Sequence, residues 1–378
     1  MTEAPIILRG GPIFDGERLL EGYELELTKG VVSALRPATE TRPSVDLGGD
    51  ILMPGFVDLQ VNGGGGLLFN EAQTVSTLAT IAAAHRSLGT ATILPTLITD
   101  RREAARAAIK ATRDALTQGI AGIGGLHLEG PHLSVARKGA HDPALIRPMD
   151  EDDLAACCEA ARALPALMIT IAPETTTEEQ VAALTSAGAV VSLGHTDADY
   201  DTCLRYQKAG ARCVTHLFNA MSQLGNRAPG LVGAALDNAH LFAGLIADGH
   251  HVHPASIRAA LRAKQGGERI FLVTDAMSPA GTDQHRFTLN GRTILRQNGL
   301  LTLVDGTLAG ADLDLASAIR LMRRETDLPL ADILAMATRI PADLMGIDGG
   351  RLTVGHPATL TRLSPDLTRA EPWLQAGA

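Results

Sequence analysis

From Pro54 onward the sequence predicts an α/β fold, a (β/α)8 barrel, on three observations. First, an apolar run, a polar tip and an Ala-rich amphipathic stretch recur in that order. The candidate strands are 55–60, 92–97, 122–128, 168–172, 190–193, 213–216, 243–247 and 270–274, and helical stretches at 74–88, 101–117, 151–163, 177–187 and 254–263 lie between most of them. Second, roughly eight such units over about 250 residues match the size of this barrel. Third, polar side chains end many of the strands. A doubly wound sheet would gather them at one switch point, and no Gly-x-Gly-x-x-Gly turn is present.

The chain before Pro54 has another texture. Over residues 5–50, short apolar runs at 6–8, 23–27, 31–35 and 51–53 are separated by Gly, Asp and Pro turns, which reads as a small β module. The tail at 350–358 again looks like short strands and turns, and is expected to fold back onto that module. No internal repeat or low-complexity segment stands out.

Composition narrows the classes of function. The 378 residues are 45% hydrophobic but only 3% aromatic, so the expected core is Ala, Leu, Ile and Val from helices packed on buried strands. A net charge of −9, without a basic block or stacking aromatics, argues against nucleic acid as a partner. No apolar run approaches the roughly 20 residues a membrane helix needs, and the first residues lack the charged and apolar segments of a signal peptide, so neither membrane nor export is expected. Cys157, Cys158, Cys203 and Cys213 show no metal-type spacing and read as buried thiols of a reducing cytoplasm.

The chemistry gathers around His127-Leu128-Glu129-Gly130-Pro131-His132, which runs on through Lys138-Gly139-Ala140-His141-Asp142-Pro143. A carboxylate directly after a buried strand, followed by Gly-Pro, is pushed out at the strand's carboxyl end and held in one direction. Ionised there, Glu129 needs a partner or a metal. A helix cap, or a pair with Arg137 or Lys138, is the competing assignment. Gln60 and Asn62 after strand one, His195 after five, His216 after six, Asp248 after seven and Asp275 after eight would converge on the same rim. Two histidines and one glutamate with an open fourth position suit a catalytic zinc, and iron, cobalt or manganese accept the same ligands. Asp275, whose competing role is a helix N-cap, fits a general base for a metal-activated water. His141 fits a group that polarises a carbonyl. Arg227, beside Pro229-Gly230, fits an anion anchor or a plain surface residue, and of His250 and His251 at most one is expected to face the site.

Taken together these motifs are similar to the N-acetylglucosamine-6-phosphate deacetylase family of the amidohydrolase superfamily. The resemblance covers nearly the whole chain. It rests on Pro54-Gly55-Phe56-Val57-Asp58-Leu59-Gln60-Val61-Asn62-Gly63-Gly64, His127-Leu128-Glu129-Gly130-Pro131, Lys138-Gly139-Ala140-His141 and Ala172-Pro173-Glu174. It continues through Gly194-His195-Thr196, Thr215-His216-Leu217-Phe218-Asn219-Ala220-Met221, Ala247-Asp248-Gly249, Thr274-Asp275-Ala276-Met277 and Leu308-Ala309-Gly310. It implies a TIM-like barrel over 54–344 and a small β-sandwich domain formed from the N- and C-terminal segments, 1–53 and 345–378. It implies metal ligands Glu129, His195 and His216, with Asp275 as acid and base. Substrate contacts would come from Ala140, His141, Asn219, Ala220, Arg227, His251, Leu308, Ala309 and Gly310, Arg227 and His251 holding a 6-phosphate. A homodimer acting on a phosphorylated amino sugar is implied as well. Many amidohydrolases carry His-x-His after strand one and bind two metals. Gln60 and Asn62 stand in those places here, so one divalent metal per subunit is expected.

Overall fold

The computed structural model describes residues 5–39, 42–289, 291–304, 306 and 308–373. Eight parallel strands form its centre: β1 (Phe56–Val61), β2 (Thr90–Ile98), β3 (Leu126–Glu129), β4 (Leu167–Ile171), β5 (Val190–Leu193), β6 (Cys213–Val214), β7 (Phe242–Leu245) and β8 (Ile270–Leu272). They pair in chain order from β1 to β8. Buried on both faces, they read as near-continuous Val, Ile and Leu runs because helices cover the outside and side chains fill the inside.

The expected helices stand at Val75–Ser87, Arg102–Thr117, Glu151–Ala163, Glu178–Ser186 and Pro254–Ala263. Their starts are chemically marked. Thr74 and Asp150 accept backbone N–H bonds as N-caps, and Thr177 with Gln180 makes a full capping box. The helix Tyr200–Ala209, opened by the Asp199 cap, and the helix Gly230–Asp237 complete the ring between β5 and β7.

The seam between β1 and β8 is closed without a regular ladder among the described residues. The Asp275 N–H donates to the Gln60 carbonyl at 3.0 Å, and the Asn62 N–H to the Ala276 carbonyl at 2.9 Å. Asp58, wholly buried on β1, spans the same gap. Its carboxylate accepts from the Thr274 N–H at 3.3 Å, the Thr274 hydroxyl at 2.5 Å and the Gln60 N–H at 3.2 Å. Burial pushes this carboxyl up to about 7, against the pull of the Thr274 hydroxyl. A folded pKa above the unfolded one stabilises the fold fully below the usual carboxylate value, and that contribution is lost as pH rises through about 7. Asp58→Asn removes this dependence. The melting temperature of the variant relative to the parent is therefore expected to move in the variant's favour between pH 5 and 8, by roughly 2–4 kcal/mol in stability. Calorimetry across that range checks it, and a pH-independent difference would refute it.

The two chain ends meet in two further sheets. One orders Val31–Pro37, Tyr23–Thr28, Ile6–Arg9 and Val45–Asp46; the other orders Ala370–Pro372, Leu360–Leu363, Ile51–Pro54, Ile13–Phe14 and Leu19–Leu20. Leu8, Leu25 and Val32 from the first pack with Ile13, Leu52 and Leu360 from the second in one apolar cluster, so the pair is a sandwich. The tail joins it through the antiparallel pairing of Leu360–Leu363 with Ile51–Pro54. Its strands thus begin later than 350–358, where Gly350, Gly355 and Pro357 leave turns and a single bridge from Pro357 to Val31. Residues 1–4, 40–41 and 374–378 of the expected small unit lie outside the described residues.

The sequence reading does not foresee the sheet that follows β8. After β8 an antiparallel meander, Arg286–Leu289, Arg292–Gln297, Leu300–Leu303 and Leu308–Ala311, stands over the carboxyl end of the barrel. Phe287, Leu289, Ile294, Leu301 and Ala309 seat it on Leu68, Ile98 and Met277.

Candidate active site

The strand ends converge as the sequence predicts. Glu129 closes β3 opposite Ile98 of β2 and Thr170 of β4. His195 and His216 sit two residues beyond β5 and β6, and Asp275 three beyond β8. His195, His216 and Asp275 all have positive φ, at 46°, 31° and 52°. For residues with a Cβ this conformation costs energy and persists only where the surroundings impose it. Backbone bonds impose it here. The His195 carbonyl accepts from Ser134 N–H at 2.9 Å, that of His216 from Asn219 N–H at 2.9 Å, and that of Asp275 from Ala311 N–H at 3.1 Å. Each twist turns a side chain from the strand direction onto the barrel axis.

Three donor atoms form a tight triangle. His195 Nε2 lies 3.0 Å from His216 Nε2 and 3.3 Å from Glu129 Oε1, and His216 Nε2 lies 3.1 Å from the same oxygen. Nitrogen and oxygen ligands at 2.0–2.2 Å from one cation in tetrahedral array stand about 3.3–3.6 Å apart, so a triangle of 3.0–3.3 Å needs only a slight opening to seat a metal. His195 Nδ1 donates to the Arg137 carbonyl at 2.8 Å, which leaves the Nε2 lone pair facing the triangle. His216 Nδ1 is buried without a partner among the described residues, so Nε2 is its only engaged nitrogen. Burial pushes the Glu129 carboxyl up, yet His195 and His216 outweigh it and hold the group well below its usual range, ionised as a ligand must be. His141 stands close: one of its ring nitrogens, with donor atoms of Glu129 and His195, completes a set within 4.8 Å.

Asp275 faces this cluster. Burial, then the Glu129 charge, raises its carboxyl to about 6, which suits a group that must take and return a proton near neutrality. Gln60 and Asn62 hold it. Gln60 Nε2 donates to Asp275 Oδ1 at 3.1 Å and to Glu129 Oε1 at 3.1 Å, and Asn62 Nδ2 donates to Asp275 Oδ1 at 2.7 Å. The two amides thus sit between two carboxylates as neutral hydrogen-bond donors. Burial, then the neighbouring His195, lowers His141 to about 3, so it works as a neutral imidazole.

A cavity of about 190 Å³ opens onto these groups. Of the residues assigned to substrate from sequence, Ala140, His141, Asn219, Ala220, His251, Leu308 and Gly310 line it. Gly310 has φ +76°, and a Cβ there would meet Met277 Cγ at 2.4 Å, so only glycine lets the meander close on this wall. His251 rather than His250 turns inward, its Nδ1 bonded to Asp248 Oδ2 at 2.6 Å. Ala309 is buried behind the wall. Arg227 is not in the wall. It stands on the exposed segment 223–228, where a turn closed from Gly225 N–H to the Ala228 carbonyl leads into the next helix. Sequence reasoning missed Ile98, Ile246, Met277 and Leu289 in the lining, and Thr99 beneath His141. Thr99 follows an apolar strand like the other rim residues, which was the available signal.

A parallel barrel that gathers a carboxylate, three imidazoles and a facing aspartate at the carboxyl ends of its strands has the build of a metal-dependent hydrolase. The chain belongs to the amidohydrolase family, whose model matches residues 51–373. It is 42% identical over 349 residues to the N-acetylgalactosamine-6-phosphate deacetylase of Shewanella sp. strain ANA-3, covering 91% of this chain and 88% of the relative. It is 33% identical over 356 residues to the N-acetylglucosamine-6-phosphate deacetylase of Haemophilus influenzae, covering 92% of each. Among solved structures, the N-acetylglucosamine-6-phosphate deacetylase of Pasteurella multocida superposes with a TM-score of 0.91 at 35% identity, over 97% of both chains.

Proposed function

We propose that this chain removes the N-acetyl group of N-acetylglucosamine 6-phosphate, releasing acetate and glucosamine 6-phosphate in amino-sugar catabolism. The observation that carries this is the Glu129–His195–His216 triangle with Asp275 facing it. Those three residues would hold one divalent cation, zinc foremost, which would supply the Lewis acidity that makes a water a competent nucleophile near neutral pH. Asp275, held by Gln60 and Asn62, takes the proton of the attacking water. His141 donates a hydrogen bond to the acetyl oxygen and stabilises its negative charge as the carbonyl carbon becomes tetrahedral. Asp275 then passes the proton to the sugar nitrogen as the C–N bond breaks. Acetate release from the purified, metal-loaded protein on N-acetylglucosamine 6-phosphate is the direct test, and no release refutes the reading.

The galactosamine epimer is the second substrate reading, favoured by the 42% identical relative that bears its name. The ratio of kcat/KM for the two epimers decides between them. Recognition of the 6-phosphate is assigned to His251 in the wall and to Arg227, which stands outside the wall on the exposed segment 223–228. Arg227→Ala is then expected to raise KM about tenfold or more for the phosphorylated sugar with a smaller change in kcat. If the parent turns over the unphosphorylated sugar equally well, Arg227 and His251 have no such role.

We further place the protein in the cytoplasm as a homodimer. The four cysteines are free and buried, as a reducing compartment allows, and among the described residues no helix is long and apolar enough to cross a membrane. The dimer rests on family resemblance. The sandwich, 1–53 with 345–378, is proposed as a small domain apart from the barrel of 54–344, on the strength of its separate apolar cluster.

A further inference from the structure

Thr99 directly follows β2 and is buried. Two of its groups converge on one atom. Its hydroxyl lies 2.7 Å from His141 Nδ1, and its backbone N–H points at the same nitrogen at 3.4 Å. A backbone amide can only donate. His141 Nδ1 therefore meets it with a lone pair. The hydroxyl has one alternative acceptor among the described residues, the Glu129 carbonyl at 3.5 Å, too far to compete. It gives its proton to Nδ1 too. A neutral imidazole that accepts at Nδ1 carries its hydrogen on Nε2.

We propose that Thr99 is a positioning residue that fixes His141 as the Nε2–H tautomer, so that His141 offers a donor to the pocket and stays out of the metal ligand set. This rests on the hydrolase reading above and adds the group that decides which imidazoles ligate. The distinction is chemical rather than spatial. The His141 ring centroid is 4.4 Å from that of His195, and a His141 nitrogen lies within ligand reach of the cluster. With its lone pair turned inward, His141 would take the position that a hydrolytic metal keeps open for water. The turn after β3 is shaped around the hydroxyl as well. A Cβ on Gly130 would stand 2.3 Å from Thr99 Oγ1, and Gly130 has φ +88°.

The direct test is the nitrogen spectrum of zinc-loaded protein labelled with 15N-histidine, the His141 signals being assigned by their loss in His141→Gln. The expected result is an unprotonated Nδ1 and a protonated Nε2 at His141. A proton on Nδ1 overturns the proposal without any Thr99 variant. Thr99→Val keeps the backbone N–H and the shape but removes the hydroxyl. It is expected to lower kcat about ten- to a hundred-fold, with KM within about twofold and metal content unchanged, and Thr99→Ser is expected to restore the rate. Parental kcat in Thr99→Val overturns the role assigned to the hydroxyl. A parent protein that releases no acetate fails the hydrolase reading itself, whichever nitrogen bears the proton.

Discussion

Asp275→Asn is expected to lower turnover by about 10²–10⁴-fold while the protein keeps its metal. The substitution is nearly isosteric. An asparagine carbonyl oxygen can still accept from Gln60 Nε2 and Asn62 Nδ2, which both reach Asp275 Oδ1 in the parent. Only the second oxygen changes, from a proton acceptor to an amide NH2. The atoms proposed as ligands on Glu129, His195 and His216 are untouched, so elemental analysis should give the parental stoichiometry. The pH profile adds a check. Burial and the Glu129 charge raise Asp275 to about 6 without a cation. A bound cation cancels the Glu129 contribution, so the acid limb of kcat/KM in the parent is expected at or below pH 6, with the rate falling as Asp275 gains a proton. The variant should lose that limb. Normal deacetylation by Asp275→Asn would remove this residue from the mechanism.

Much of this site is legible in the sequence because a barrel turns linear position into spatial convergence. Glu129, His195, His216 and Asp275 each follow a short apolar run, and the barrel brings such positions to one rim whatever their separation in the chain. Geometry along the loops is a different matter. Arg227 reads as an anchor by chemistry, yet nothing in Asn226-Arg227-Ala228-Pro229 says which way the loop leads, and it leads outward. Some strands, that before His216 among them, were read too long for a related reason. The run at 213–216 looks like a strand to its end, but β6 stops at Val214 and His216 takes a φ of 31° that no apolar pattern announces. The meander was missed although its turns were written plainly. Asn290-Gly291 and Asn298-Gly299 each sit between apolar runs, the signature of two-residue hairpins, and Asn298 and Gly299 adopt the positive φ that such turns need. A barrel template assigns that stretch to a loop, and the local hairpin chemistry went unread beneath it.

Glu129→Gln should cost the protein its metal, and with it all turnover above background. The argument rests on charge as much as on geometry. Glu129 is the one carboxylate in the triangle, held ionised by His195 and His216 against its burial. A glutamine of the same shape brings a neutral oxygen that binds divalent cations weakly, and its NH2 would face either the cation or the imidazoles. Removing an outer-shell partner of a metal ligand typically costs 10–100-fold in affinity, so losing an anionic ligand outright should cost more than about 100-fold. Dialysis of the variant followed by elemental analysis reads this directly, with circular dichroism to establish that the barrel remains folded. The parent stripped by a chelator should regain its rate on titration with zinc and reach a plateau at one equivalent per chain. No second equivalent is expected to bind, because the Gln60 and Asn62 amide nitrogens lie against Glu129 and Asp275 at 2.7–3.1 Å and supply hydrogen bonds where a second cation would supply charge. A Glu129→Gln protein that holds one metal and deacetylates at the parental rate would show that the hydrolytic centre lies elsewhere. A plateau at two equivalents would show that those amides do not exclude a cation.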